Sequence, residues 1–324
     1  NFSNTTFLND NFANIADLTS EGDVSLSGTI TTSGSQDYKA NANLTADTTL
    51  QGDSLTFTNG VDGNSNNLDL NFSQTTSLDG SFTNIADLTS EGNVSLNGSI
   101  TTSGAQTYKA DTILSGDTDI VTSGGDVTIT GGTEGIYSAE VLPAGTGYNL
   151  SINSGSGNII VGNETGFGNN NGTDALVNDL SLSSSTSTKI GSGSQSIGGE
   201  MAVPGGPLTL MGDTLLGGRS LVTPAGVDGA GHNLDLGFTE QTTIDGNFTN
   251  INNLKSSYSV ALEGGITTSG YQEYNASAVL VGNTTLQGTD LTFSNGLGGN
   301  GNNLDLNFSN TTFLNDNFAN IADL

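Results

Sequence analysis

A chain of 324 residues with 33 acidic and only five basic side chains carries a formal charge of −28, which excludes nucleic acid or an anionic membrane as a partner bound through a basic surface. Cysteine is absent, so neither disulfides nor a thiolate metal site can form, and no run approaches the roughly 18 apolar residues of a membrane-spanning helix. Apolar residues make up 33% and aromatics 6%, without tryptophan and alongside 47 glycines, a mixture suited to a thin core with many tight turns.

The chain opens with NFSNTTFLNDNFANIADL, Asn1 to Leu18, and the same segment returns unchanged as Asn307 to Leu324. The sequence therefore advances by 306 residues and starts again, as a window on a tandem array would. Residues 1–70 form a first unit ending in Asn66-Asn-Leu-Asp-Leu70. Residues 71–110 copy its first forty positions with 29 identities. The copy is then interrupted by an insert at about 111–192, resumes near Gly193 and closes with His232-Asn-Leu-Asp-Leu236, so the second unit spans 71–236. A third unit covers 237–306 with 38 of 70 positions identical to the first, and 307–324 begins the next period.

Small features recur within each unit. Phe12, Phe82 and Phe248 each stand three residues before Ile15, Ile85 and Ile251, with Leu18, Leu88 and Leu254 three further on. Around Val24-Ser-Leu26, Val94-Ser-Leu96 and Leu55-Thr-Phe57 apolar and small polar residues alternate, the pattern of a strand with one buried face. Turn pairs such as Ser33-Gly34, Asn59-Gly60, Asp62-Gly63 and Gly124-Gly125 separate the strands. The insert has its own alternating runs, among them Asp126 to Thr130, Tyr148 to Ile152 and Asn158 to Val161, which read as further coils on the same axis, with a lateral domain standing off the rod as the alternative.

Separate β-sandwiches would want about 100 residues each, whereas units of 70 residues that run together without linkers predict an all-β parallel solenoid, rod-like, on one continuous axis. With about 20 to 25 residues per coil and a strand spacing of about 4.8 Å, one period rises roughly 60 to 75 Å. Asparagines and threonines at equivalent positions are expected to stack as ladders.

The stretches ITTSGSQDYKANANLTADTTLQGDSLTF (Ile30 to Phe57), ITTSGYQEYNASAVLVGNTTLQGTDLTF (Ile266 to Phe293) and LSINSGSGNIIVG (Leu150 to Gly162) resemble repeats of the large bacterial exoproteins similar to filamentous haemagglutinin. That resemblance covers nearly the whole chain. It implies a right-handed β-helix secreted to a cell surface, where such repeats serve as adhesin scaffolds.

Chemistry-bearing residues are sparse. Arg219 and His232 are single, and Lys39, Lys109, Lys189 and Lys255 are spread among the units, so no groove gathers a base with convergent carboxylates and no enzyme is expected. Gly298 to Leu306 and Gly229 to Leu236 resemble the glycine-rich Ca²⁺-binding nonapeptide, which makes Asp69, Asp235 and Asp305 the metal candidates; between two leucines each also reads as the outward face of a strand. The repeated Gln-x-Tyr at Gln36 and Tyr38, Gln106 and Tyr108, Gln272 and Tyr274 reads as core or rim, with a sugar platform as the alternative. Sequons such as Asn4-Thr-Thr6, Asn93-Val-Ser95 and Asn247-Phe-Thr249 allow glycosylation. Leu142-Pro-Ala-Gly-Thr146 is not a cell-wall sorting signal, because glycine stands where threonine is required.

The expected function is a structural extracellular filament of a bacterial surface or biofilm matrix, or the stalk of an adhesin. Its partner would be itself, end to end along the fibre axis. The alternative is a module that binds a glycan or host protein through the 111–192 insert or a tyrosine-bearing face.

Overall fold

The computed structural model describes residues 4–132, 135–139, 147–162, 167 and 175–324. The chain is a right-handed parallel β-solenoid of about 15 turns, and no helix occurs among the described residues. Leu142 to Thr146 lies outside the described residues.

Each turn has three faces, and the register between turns defines a column on each. On the first face Thr6 pairs with Val24, Val24 with Ala42, Ala42 with Val61 and Val61 with Phe82. On the second, Phe12 pairs with Ile30, Ile30 with Leu50, Leu50 with Leu70 and Leu70 with Ser90. On the third, Leu18 pairs with Gln36, Gln36 with Leu55, Leu55 with Thr76 and Thr76 with Val94. Partners in the repeat units are 18 to 21 residues apart, at or just below the lower end of the expected 20 to 25. A face needs only three to five strand residues before the chain bends, as in Leu88–Ser90 and Leu234–Phe238.

The alternating sequence maps directly onto this geometry. Leu68–Phe72 is buried, exposed, buried, exposed, buried along its length, so Leu68, Leu70 and Phe72 face the axis. Leu26, Ile30, Leu44, Leu50 and Phe57 are all inaccessible to solvent. At roughly 1.5–3 kcal/mol for each buried aliphatic or aromatic side chain, this narrow column is the main source of stability.

The corners have their own chemistry. The Phe-x-Asn-Ile spacing bends the chain. Asn14, Asn84, Asn250 and Asn320 adopt positive φ of 62°, 54°, 52° and 56°, which asparagine tolerates better than most residues. The pairing register shifts between Phe82 and Ile85, so both side chains point inward across the bend. Elsewhere a buried hydroxyl closes the corner. Thr32, Thr102 and Thr268 donate to the carbonyls of Gly34, Gly104 and Gly270 at 2.9, 2.8 and 3.0 Å, two residues on.

The insert continues the stack. Ile120 pairs with Ile152 and Ile152 with Leu182; Ile129 pairs with Val161 and Val161 with Ile190. On the third face Ile136 bridges to Phe167, whose carbonyl accepts the Ser196 N–H at 3.2 Å. Separations here lengthen to between 29 and 32 residues. One axis runs through the described chain.

Candidate functional surface

The three candidate aspartates lie apart. Asp69 faces outward between buried Leu68 and Leu70 on the second face, with Thr49 and Thr89 as its neighbours above and below. Asp305 is exposed on the same face and pairs with Thr285, many turns further along. Asp235 stands on the third face between Leu215 and Lys255. Among the described residues no three acidic, histidine or cysteine side chains come close enough to share a metal ion.

Asp235 is electrostatically distinct. Its Oδ1 is buried without a hydrogen bond. Desolvation pushes its carboxyl above the ordinary carboxylate range, Lys255 one turn on draws it down, and Glu273 pushes it up again. Asp235, Lys255 and Glu273 form one column of alternating charge.

Other basic residues also pair between turns. Lys39 reaches Glu21 at 2.8 Å, Lys109 reaches Glu91 at 2.6 Å, and Arg219 lies 3.4 Å from Glu240 and 3.9 Å from Asp179. His232 Nδ1 is 3.9 Å from Asp213. All are exposed surface contacts and contribute little to stability.

The Gln-x-Tyr motif faces inward. Tyr38, Tyr108 and Tyr274 are inaccessible to solvent, so they offer no sugar platform. Their hydroxyls donate to Oε1 of Gln36, Gln106 and Gln272 at 2.9, 2.7 and 2.9 Å. Each glutamine amide donates to two backbone carbonyls, Gln106 to Ile100 at 3.1 Å and Val121 at 3.0 Å. Burial pushes the three tyrosine hydroxyls well above their ordinary pKa. Tyr38 also stacks on Phe57, ring centres 5.0 Å apart, and Tyr274 on Phe293 at 4.9 Å. The tyrosines exposed most are Tyr258 and Tyr271, which the motif does not include.

Ladders do form, in a different manner from stacked amides alone. Asp47 Oδ1 accepts the Asn67 N–H at 2.9 Å, Asn67 Oδ1 accepts that of Asp87 at 3.1 Å, and Asp87 Oδ1 accepts that of Ala105 at 2.6 Å. A corner side chain thus caps the backbone of the next turn. The Ser35 N–H and hydroxyl hold the Asp17 carboxyl below its ordinary range in this way. For Asp17, Asn67 and Asp87 the sequence signal is an Asp or Asn immediately before a Leu-x-Leu or Leu-x-Ser segment; Asp47 stands instead before Thr48-Thr-Leu50.

A recess of about 690 Å³ lies where the second unit meets the third and is bordered by Asp228, Phe248, Asn250 and Thr267. The equivalent junction of the first and second units explains it. There Asn64, Ser65 and Ser99 occupy the positions held here by Ala230, Gly231 and Gly265. A Cβ added to Gly231 or Gly265 would meet nothing within 4 Å. The corner hydrogen bonds are shared: Asp228 Oδ1 accepts from Ala230 N–H and Asn250 Nδ2, both at 3.0 Å, as Asp62 Oδ1 accepts from Asn64 N–H at 3.2 Å and Asn84 Nδ2 at 3.1 Å. The backbone differs as well: Thr76–Ile85 pairs with Val94–Thr102 through Phe82 and Ile100, whereas after Ile244 pairs with Leu262 only the bridge Ile251–Thr268 remains, so trimmed side chains and an opened ladder together make the hollow. Comparison with family models, with curated proteins and with solved structures returns no match.

Proposed function

We propose that this chain is a length-giving segment of an extracellular bacterial filament or adhesin stalk, its partner being further copies of the same period along the axis. The observation that carries the reading is the combination of a parallel stack from Thr6–Leu8 to Thr312–Leu314, paired on at least two of its three faces at every step, with identical sequences at 1–18 and 307–324. Each turn offers its unpaired edge to an equivalent successor, so extension adds stiffness without a new kind of contact. The resemblance to filamentous-haemagglutinin-like repeats supports export and a surface location. A charge of −28 per chain keeps parallel rods apart unless cations or glycans bridge them. Electron microscopy of the native material tests the proposal: an unbranched thread that rises about 70 Å per period is expected from about 15 turns at roughly 4.8 Å each. Discrete globular particles would overturn it.

A second reading, in which the surface also binds a glycan, is favoured by the recess beside Asp228. Its polar rim and the acidic surface around it suit an uncharged saccharide better than an anionic one. Glycan-array binding that Gly265→Thr abolishes would support this reading, since Thr29 holds the same place in the first unit.

A further inference from the structure

The two copies of the eighteen-residue segment do not lie on the same face. Thr6–Leu8 stands on the first face, paired with Val24–Leu26. Its duplicate Thr312–Leu314 stands on the third, paired with Leu291–Phe293. That third column descends through Gln272, Leu254, Leu234 and Thr214 to the strand at Gly193–Ser196, then by Phe167 and Ile136 to Thr112 and finally Leu18. Counting rungs along it, Leu18 to Thr312 spans fourteen turns, and Thr6 precedes Leu18 by two faces.

The same arithmetic holds unit by unit. Thr76, the counterpart of Thr6, lies on the third face, paired with Leu55 and Val94. Thr242 is back on the first, because it follows Leu234 of the third face and precedes Phe248, which pairs with Val227 of the second. A 70-residue unit therefore fills three turns and two faces, and the interrupted unit fills seven turns and one face. The repeat is written in faces, not in turns. That requires one sequence to fit any side of the triangle, and it does: Leu18-Thr-Ser20 packs on the third face while the identical Leu88-Thr-Ser90 packs on the second, both buried at the first and third positions.

We infer that in a tandem array each period docks on its predecessor turned by two of the three faces, so that the structure repeats only after three periods, roughly 210 Å at about 4.8 Å per turn. The inference rests on the filament reading and adds the relative orientation of its self-partner. The interface is the uncovered edge formed by Leu304–Phe308, Thr312–Leu314 and Phe318–Ala319, and its occupant is the next copy of this chain. One consequence concerns display: any feature present once per period, such as the recess beside Asp228, points in three directions around the rod.

A covalent array of three periods, continuing from Leu324 as the chain continues from Leu18, tests this with the thiol-free background the sequence provides. Tyr258→Cys places one exposed thiol in each period, and Phe7→Cys, repeated in each period, supplies a second site should the first disturb folding. After labelling with maleimide gold, cryo-electron tomography should place labels about 70 Å apart along the axis, each on a different sheet when the sheets are followed through the map. Labels spaced at that interval on one and the same sheet would overturn the two-face rotation while leaving the filament intact. An array that breaks into separate bodies would overturn the filament reading and the rotation with it.

Discussion

The repeat units and the insert solve one packing problem with different lengths of chain. In the units a turn takes 18 to 21 residues, and in the insert up to 32, yet Ile100 to Ile120 and Ile120 to Ile152 continue one column of fully buried side chains. The comparison shows where length is free. The three inward faces admit almost no variation because each must meet the turns above and below, whereas corners on the surface absorb added residues at a loop-closure cost that grows only logarithmically.

The sharpest way to break this comparison is to place a charge in the shared column. Ile100→Asp in a unit and Ile152→Asp in the insert should each destabilise by more than about 4 kcal/mol, since a carboxylate would be stranded in a dry core. Because each turn contacts only its neighbours, opening should stay local. Hydrogen exchange should show loss of protection in Val94–Thr102 for the first variant and Leu150–Gly155 for the second. Unchanged protection after Ile152→Asp would mean that the insert does not share the core.

A smaller effect separates two versions of the buried glutamine. Gln106 serves Tyr108 and two carbonyls, while Gln195, near the end of the insert, has Ile197 in place of the tyrosine and binds the Phe167 N–H at 3.1 Å, the Ser192 carbonyl at 2.8 Å and, at a longer 3.3 Å, the Gly191 carbonyl. Gln106→Leu orphans three buried polar groups and should cost about 2–4 kcal/mol, and Gln195→Leu about 1–3 kcal/mol. Urea denaturation of the two variants measures the difference; equal effects would remove the role assigned to the tyrosine.

These glutamines also mark the limit of what the sequence discloses. Alternation put Gln36 and Tyr38 on one side of a strand, and the runs at Val24 and Val94 predicted strands that the structure contains. Which side faced inward was harder to read for Gln36, because a polar amide argues outward unless the carbonyls of Ile30 and Gln51 are waiting inside the corner. Turn length was hidden for a related reason: a bend closed by Asn84 at positive φ occupies fewer residues than a loop of ordinary turns. The exposed aspartates at 69 and 305 were legible as strand surface, whereas the burial of Asp235 depends on Leu215 and Lys255, residues 20 positions away on either side.

Acid should act oppositely at two kinds of aspartate. Asp17 and Asp290 are held below the ordinary 3.8, so their contribution is complete above that value and is lost as pH falls through the lowered one. Asp235 is raised, mainly by desolvation, so what it contributes is complete below 3.8 and lost as pH rises through the raised value. Asp235→Asn should therefore raise the melting temperature at pH 7 and lose its advantage in acid, while Asp17→Asn should do neither. A melting temperature for Asp235→Asn that tracks the parent protein at every pH would show the carboxylate to be adequately solvated.

The smallest expected effect lies in the surface pairs between turns. Lys109 and Glu91 meet at 2.6 Å, but their side chains retain 48% and 46% exposure, so solvent and salt screen the attraction. Lys109→Ala should cost no more than about 0.5 kcal/mol, and the loss should vanish near 1 M salt. Lys255→Ala is the informative contrast, because removing it leaves the half-buried Asp235 and the neighbouring Glu273 without the cation between them. Its effect should exceed that of Lys109→Ala and persist in salt. If the two variants respond alike in paired thermal melts at low and high ionic strength, the alternating column on the third face is ordinary surface charge.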